Sequence, residues 1–397
     1  MVHFFELIIF LFFLFSVGYL LLFALAGRIF KNKEITKSHG FLKALVLLPS
    51  YKEDNVIVHS ANSALKFHYP SDAYQVAVIA DGLQPETIGQ LKNLKGLDVI
   101  EVAFEKSTKV KSLQSAMRFY QGAAFDFVVI LDADNVGDLG FLSKINDAFA
   151  AGYKSVQGRR VAKNANTSIA VLDGLSEAIN NHIFRRGYNA LGASASLIGS
   201  GMAFEFNLFR KVISTMNSVG GFDRELHALL LARGIKTKYL PEALMYDEKV
   251  DNSKSLGNQR KRWISSQFFY LKKYFWPGLK GLFSGNFNYF DATVLSNLIL
   301  PRVLLLGLLV ISTLLAYVFD TYLMLSPHYW LLLLVCLLVA LVISVPANLL
   351  TFKTARALLL VPVSFIILMR SLILSWNSNK DFIHTPHGVQ HTDSKLP

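Results

Sequence analysis

Phe125-Asp126-Phe127-Val128-Val129-Ile130-Leu131-Asp132-Ala133-Asp134 decides how the middle of this chain folds. The apolar run FVVIL has the length and the near-continuous hydrophobicity of a strand covered on both faces, and it leads straight into two carboxylates spaced by two. On extended backbone the side chains at i and i+2 share a face. Two carboxylates at a strand's carboxyl end can hold a hard divalent ion and leave positions on it for a diphosphate. A lone Asp-x-Asp is more often a solvated strand-to-loop turn, so the weight falls on its neighbours.

Working outward, residues 44–48, 74–80, 98–103 and 154–157 read as further strands, and residues 55–67 and 110–120 as amphipathic helices between them. This alternation, from about residue 37 to 289, predicts an α/β domain with a mostly parallel sheet and enough chain for one sizeable core. The first strand ends in Pro49-Ser50-Tyr51-Lys52-Glu53 and the next in Asp81-Gly82. Three successive strands thus deliver polar groups to one sheet edge, where α/β ligand sites form.

The 397 residues are 52% hydrophobic and 17% charged, with positive mean hydropathy, which excludes a disordered, collagen-like or ordinary soluble chain. Forty Lys and Arg against 28 Asp and Glu give a net charge of +12. That excess alone would suit nucleic acid or an anionic membrane surface; the apolar runs decide for the bilayer, and no nucleic-acid partner is expected. Residues 4–26 carry one charge, Glu6, over a length that crosses a membrane. Ala24-Leu25-Ala26 resembles a signal-peptidase site, but Arg28, Lys31, Lys33 and Lys37 follow the apolar run instead of preceding it. The expectation is an uncleaved anchor in the inner (plasma) membrane, with its N-terminus outside and the domain after it cytoplasmic.

Residues 267–289 mix aromatics with lysines around a Pro-Gly break, as suits an interfacial segment. Spans are expected near 303–319 and 329–345. A shorter run at 357–369, with Pro362 inside and Arg356 and Arg370 outside, reads as interfacial or re-entrant. The expected organisation is an anchor (1–36), the α/β domain (37–266), interfacial helices (267–300), two spans (301–350), the interfacial or re-entrant helix (351–376) and a tail (377–397). The single cysteine, Cys336, allows neither an internal disulfide nor a cysteine zinc cluster.

The arrangement resembles the GT-A domain of membrane-bound family 2 glycosyltransferases. Pro49, Tyr51 and Glu53 match their P-x-Y-x-E strand end, and Asp81 the aspartate closing the second strand. Lys109 matches the lysine before a helix, and Asp132 and Asp134 the D-x-D. Residues 156–159 match the V-Q-G-R strand, and Gly199-Ser200-Gly201-Met202-Ala203-Phe204 the glycine-rich acceptor segment. Gln259-Arg260-Lys261-Arg262-Trp263 gives a clean Q-x-x-R-W.

The resemblance implies a GT-A (Rossmann-like) fold and transfer of a sugar from a UDP-sugar to an acceptor hydroxyl in one inverting step. It implies a divalent metal, Mn²⁺ or Mg²⁺, on Asp134, with Asp132 on the metal, a metal-bound water or the ribose. Asp81 and Glu53 would accept from uracil and ribose, with Pro49 and Tyr51 bordering the base, Lys109 and Arg262 approaching the diphosphate, and Gln259, Trp263 and Gly201 lining the acceptor side.

The general base aligns with Asp223 in Gly221-Phe222-Asp223-Arg224-Glu225-Leu226, where the acid that usually precedes it is absent; Glu225 is the fallback. Gln114 replaces a usual asparagine. Residues 382–387, with His384 and Thr385, resemble only loosely a gating loop that would cover the nucleotide. The acceptor is a growing glycan or, alternatively, a lipid. Three spans are few for a private export channel, so a polymer would call for a homo-oligomer or an export partner. Nucleotidyl transfer and a non-enzymatic scaffold are the remaining readings; the first does not predict Q-x-x-R-W, the second predicts missing metal ligands.

Overall fold

The computed structural model describes residues 1–31 and 33–374. The tail motif with His384 and Thr385 lies outside the described residues. After α1 (Val2–Ile29) comes a regular alternation: β1 (Ala44–Tyr51), α2 (Asp54–Ala64), β2 (Tyr74–Asp81), α3 (Pro85–Lys92), β3 (Leu97–Val102), α4 (Lys109–Phe119) and β4 (Phe127–Ile130). These four strands pair in parallel in the order β3-β2-β1-β4. The near-continuous apolar runs have a direct cause. Val46, Leu48, Val76, Val78 and Val129 pack into a cluster on one face, while Leu45, Leu47, Ile79, Val128 and Ile130 pack into another on the opposite face.

The second half departs from the expected parallel sheet. It runs through β5 (Val136–Gly137), α5 (Phe141–Ala150), β6 (Ser155–Ala162) and α6 (Ser168–Asn181), which continues as a π-helical turn (His182–Gly187) into α7 (Tyr188–Ala190). Next come β7 (Met202–Glu205), α8 (Phe206–Ile213), α9 (Phe222–Leu231) and β8 (Lys238–Asp247). β7 runs antiparallel to both β4 and β6, and β5 antiparallel to β8, so the eight-stranded sheet β3-β2-β1-β4-β7-β6-β8-β5 is mixed. The reversal follows the glycine-rich turn, where Gly199 (φ 85°) and Gly201 (φ 61°) hold left-handed backbone that other residues rarely adopt.

α10 (Ser253–Phe283) is one 31-residue helix that passes through residues 266 and 267 and through Pro277. The expected Pro-Gly break is absent. Gly278 and Gly281 instead leave room for Thr293 and Tyr289: a Cβ on Gly281 would lie 2.7 Å from Tyr289 Cδ1. A return through α11 (Phe287–Phe290), a π-helical turn (Asp291–Leu295) and α12 (Ser296–Leu298) leads to α13 (Arg302–Val318), α14 (Pro327–Ile343), α15 (Phe352–Leu358) and α16 (Val361–Leu374).

Among the described residues one helix, α1, is long and apolar enough to cross a membrane; there are up to three if each bent pair, 287–298 with α13 (53°) and α15 with α16 (48°), counts as one span. Phe13, Leu20, Leu305, Leu309, Trp330 and Leu337 of α1, α13 and α14 share an apolar cluster with Leu175, Ile179 and Tyr188 of the α/β domain. The one acid of α1 is satisfied: Glu6 accepts the backbone N–H groups of Met324 and Leu325 at 2.8 and 3.0 Å. The start of α1 and the loop between α13 and α14 therefore lie at the same end of the helix cluster.

Candidate active site

Parallel register brings the first two polar strand ends together. Tyr51 is level with Asp81, and the Lys52 N–H donates to the Asp81 carbonyl at 3.1 Å, with Lys52 in left-handed backbone (φ 55°). Glu53 is buried at the start of α2. Asp81 is buried too. Burial raises its carboxyl above the ordinary range, against a hydrogen bond with Ser107 and the nearby charges of Lys52 and Lys111. Its Oδ2 has no partner among the described residues. A buried acceptor left open is suited to a ligand N–H or O–H.

At the end of β4 the chain turns. The Asp132 N–H donates to Asn135 Oδ1 (3.1 Å) and Ser200 Oγ (3.0 Å), and the Ser200 hydroxyl donates to the same Asn135 oxygen. Asp134 accepts from Asn135 Nδ2 at Oδ1 (3.1 Å) and from the Glu248 N–H at Oδ2 (3.0 Å). The backbone of Asp132 is thus fixed by Asn135 and the glycine-rich turn, and the carboxylate of Asp134 by Asn135 and the residue that follows β8.

From α4, Lys109 forms an ion pair with Asp132 and donates to the Gly199 carbonyl at 2.8 Å, with its Nζ 4.9 Å from the Phe222 ring centroid. Gly199 also borders Asp223, since a Cβ there would lie 3.9 Å from Asp223 Oδ2. Burial lowers the pKa of the Arg262 guanidinium on α10, and the charges of Asp132 and Asp223 oppose that. Lys109, Asp132, Gly199, Asp223 and Arg262, drawn from five separate stretches of the chain, therefore converge. Gly201 turns its carbonyl to the Gly158 N–H (2.8 Å) and Gln157 Nε2 (3.2 Å), which anchors the turn to β6.

The donor set fits a hard divalent ion. Asp132 and Asp134 offer carboxylate oxygens within one turn, and among the described residues no group of three or more His, Cys, Asp or Glu could form a closed cage. An ion on these two would need further oxygens from phosphate and water, the usual manner of Mg²⁺ at nucleotide sites.

Residues 43–266 match the family described as "Glycosyltransferase like family 2". The chain belongs to that family. It is 24% identical over 278 residues to the poly-beta-1,6-N-acetyl-D-glucosamine synthase of Staphylococcus epidermidis, covering 66% of this chain and 64% of the relative. It is 25% identical over 254 residues to glucomannan 4-beta-mannosyltransferase 7 of Arabidopsis thaliana, covering 59% of this chain and 44% of the relative. The matches thus span about half to two-thirds of these curated relatives' length. A solved mannosyltransferase from Pyrobaculum calidifontis, in complex with GDP-Man and Mn²⁺, superposes with a TM-score of 0.53 at 16% identity, covering 90% of this chain and 93% of that one. That likeness is one of fold, GT-A.

In this family 2 glycosyltransferase some expected residues stand apart from the convergence. Glu225, buried, pairs with Lys273 and accepts from the Tyr274 hydroxyl at 3.4 Å, so it ties α9 to α10. Trp263 lies beneath the Arg260 guanidinium, 4.3 Å from Cζ to ring centroid, and Arg260 pairs with Asp173 of α6. Gln259 keeps a buried Oε1 with no partner among the described residues. Pro49 lies two residues before Tyr51 on β1.

The sequence reading passed over Asn135 and Glu248, which hold the two aspartates. It also passed over a buried ion cluster behind them. Glu177 of α6 pairs with Arg160 (2.8 Å), Arg185 (3.0 Å) and Lys249 (3.8 Å), and Asp247 with Arg160 (3.2 Å) and Lys249 (2.9 Å). Burial works against the charge on Glu177, but its three cations outweigh that and hold its carboxyl below the ordinary range. Burial pushes Asp247 up to about 6, against Lys249 and Arg160. The one available signal was the charge density of an otherwise apolar α6, Asp173 and Glu177 four apart on one face.

Proposed function

We propose that this membrane glycosyltransferase moves a sugar from UDP to a glycan acceptor with inversion, using Asp223 as the general base. The observation that carries the reading is the meeting of Lys109, Asp132, Asp223 and Arg262 around Gly199, because displacement of a diphosphate needs positive charge on the leaving side and one base on the attacking side. The Asp223 carboxylate would take the proton of the acceptor hydroxyl. Lys109 and the planar fork of Arg262 would bind the departing phosphates, while the open Asp81 oxygen and Glu53 would orient the nucleoside. Asp132 and Asp134 would hold Mn²⁺ or Mg²⁺, which when bound supplies charge against the diphosphate. Trp263 would offer its ring face to the acceptor sugar. The domain is assigned to the cytoplasm by the cationic residues after α1.

The test is nucleoside diphosphate release from a panel of UDP- and GDP-sugars, with and without Mn²⁺, followed by mass analysis of the product formed by the full chain in lipid. UDP release that requires metal, with a glycan product, is expected. A single-sugar lipid product would replace the acceptor by a lipid. Pyrophosphate release would indicate nucleotidyl transfer, and absence of turnover with every donor would overturn the enzymatic reading.

A further inference from the structure

Arg160, Arg185, Lys249 and Arg260 of the α/β domain are each matched by a carboxylate. The rim where α1 meets the α/β domain is different. Arg28 at the end of α1, Lys33 after it, Arg186 on the π-helical turn, and Lys236 and Lys238 at the start of β8 form no ion pair with a carboxylate among the described residues. Glu34, the nearest acid in sequence, forms none either.

Tight packing brings these cations together. A Cβ on Gly27 would lie 3.2 Å from the Gly187 nitrogen, and one on Gly187 would run into the Phe23 carbonyl. His182 shares a hydrogen bond with the Ala24 carbonyl at 2.9 Å, and both Arg28 and Arg186 lie close enough to it to add to the effect of burial against its protonation. Lys238 donates to the Lys33 carbonyl at 3.0 Å, and Lys236 to the Gly192 carbonyl at 2.8 Å. Four of the five side chains are exposed and Lys238 is half-buried. Exposed Ile29 and Phe30 lie directly between Arg28 and Lys33 in the chain. A rim of unpaired positive charge beside exposed apolar residues, at the end of a helix long enough to cross a bilayer, is at headgroup depth.

We infer that this rim binds anionic phospholipid headgroups, with Arg28, Lys33, Arg186, Lys236 and Lys238 supplying the positive charge. Like charges held at this spacing repel one another in solution and are relieved by an anionic surface.

The test uses the full chain in neutral detergent, titrated with dioleoyl phosphatidylglycerol or dioleoyl phosphatidylcholine and followed by native mass spectrometry and thermal shift. Phosphatidylglycerol should be retained and stabilise the protein, phosphatidylcholine should not, and salt should weaken the effect. R186Q/K236Q/K238Q should lower phosphatidylglycerol affinity about 100-fold, from roughly tenfold or less per removed cation. R186Q/K236Q, at two exposed positions, gives the same direction if the triple variant is unstable. K95Q/K106Q, at exposed positions of the α/β domain flanking β3, should bind as the parent does. Equal retention of the two lipids, unchanged binding by the double and triple rim variants, loss through the K95Q/K106Q variant alone, or equal protection by inorganic phosphate would each overturn the assignment.

Discussion

Two sets of carboxylates lie within this one domain, and they are treated in opposite ways. Glu177 is buried among Arg160, Arg185 and Lys249, so its charge is compensated from three directions and nothing is left over for a ligand. Asp132 and Asp223 lie partly exposed around Gly199; among the described residues Lys109 pairs with Asp132 alone, and the charges of both carboxylates act on Arg262, so two cations suited to phosphate stay near the surface. Asp81 keeps an open buried oxygen. Saturated charge holds the sheet to α6, and under-saturated charge is left free to meet a ligand. The two sets should therefore separate under mutation, one in stability and the other in turnover.

The largest effect should come from the saturated set. Glu177→Ala leaves three buried cations without their shared anion and should destabilise the protein by about 3–5 kcal/mol, seen as a lowered melting temperature of the full chain in detergent. An unchanged melting temperature would erase the distinction. Asp223→Asn should do the converse: transfer falls about 10³-fold, while the melting temperature and UDP binding by calorimetry stay near those of the parent. Retained turnover would remove Asp223 from its role and direct attention to the mutual geometry of α9 and α10.

A third group tests the same contrast by pH. His227 is fully buried beside Arg224, with its Nε2 3.1 Å from Ser194 Oγ; burial, then Arg224, lowers its pKa to about 4. Because the folded value is depressed, the unfolded chain binds more protons between about 6.5 and 4. The stability from this residue is complete above 6.5 and is lost as pH falls toward 4, by about 3 kcal/mol. His227→Gln should flatten the fall in melting temperature across that window relative to the parent; parallel curves would count against it. The smallest effect concerns the contact between α1 and the domain. Tyr19 donates to Asp291 at 2.6 Å and touches the Tyr188 hydroxyl. Tyr19→Phe should cost about 1.5–3 kcal/mol with little change in the rate per folded molecule, and a rate loss greater than the loss of folded protein would link α1 directly to turnover.

Asp132-Ala133-Asp134, the strand ends at Tyr51 and Asp81, and α1 were legible in the sequence because each is a local pattern. Apolar runs of fixed length that end in polar residues state both the element and the edge it presents. Residues 267–289 were not legible in the same way: a proline and a glycine read as a stop, yet α10 continues, and Gly278 and Gly281 serve the close approach of Thr293 and Tyr289 instead of a break. Likewise the antiparallel entry of β7 follows left-handed turns at Gly199 and Gly201, and a glycine-rich segment gave no sign of strand direction. Sequence alone determined the α/β alternation, the anchor helix and the acidic strand ends, since periodicity and hydropathy are properties of neighbouring residues. Tertiary structure alone decided which charges cancel one another and which stay available, because Arg160, Glu177, Asp247 and Lys249 meet across β6, α6 and β8, and no spacing along a chain encodes a meeting between elements.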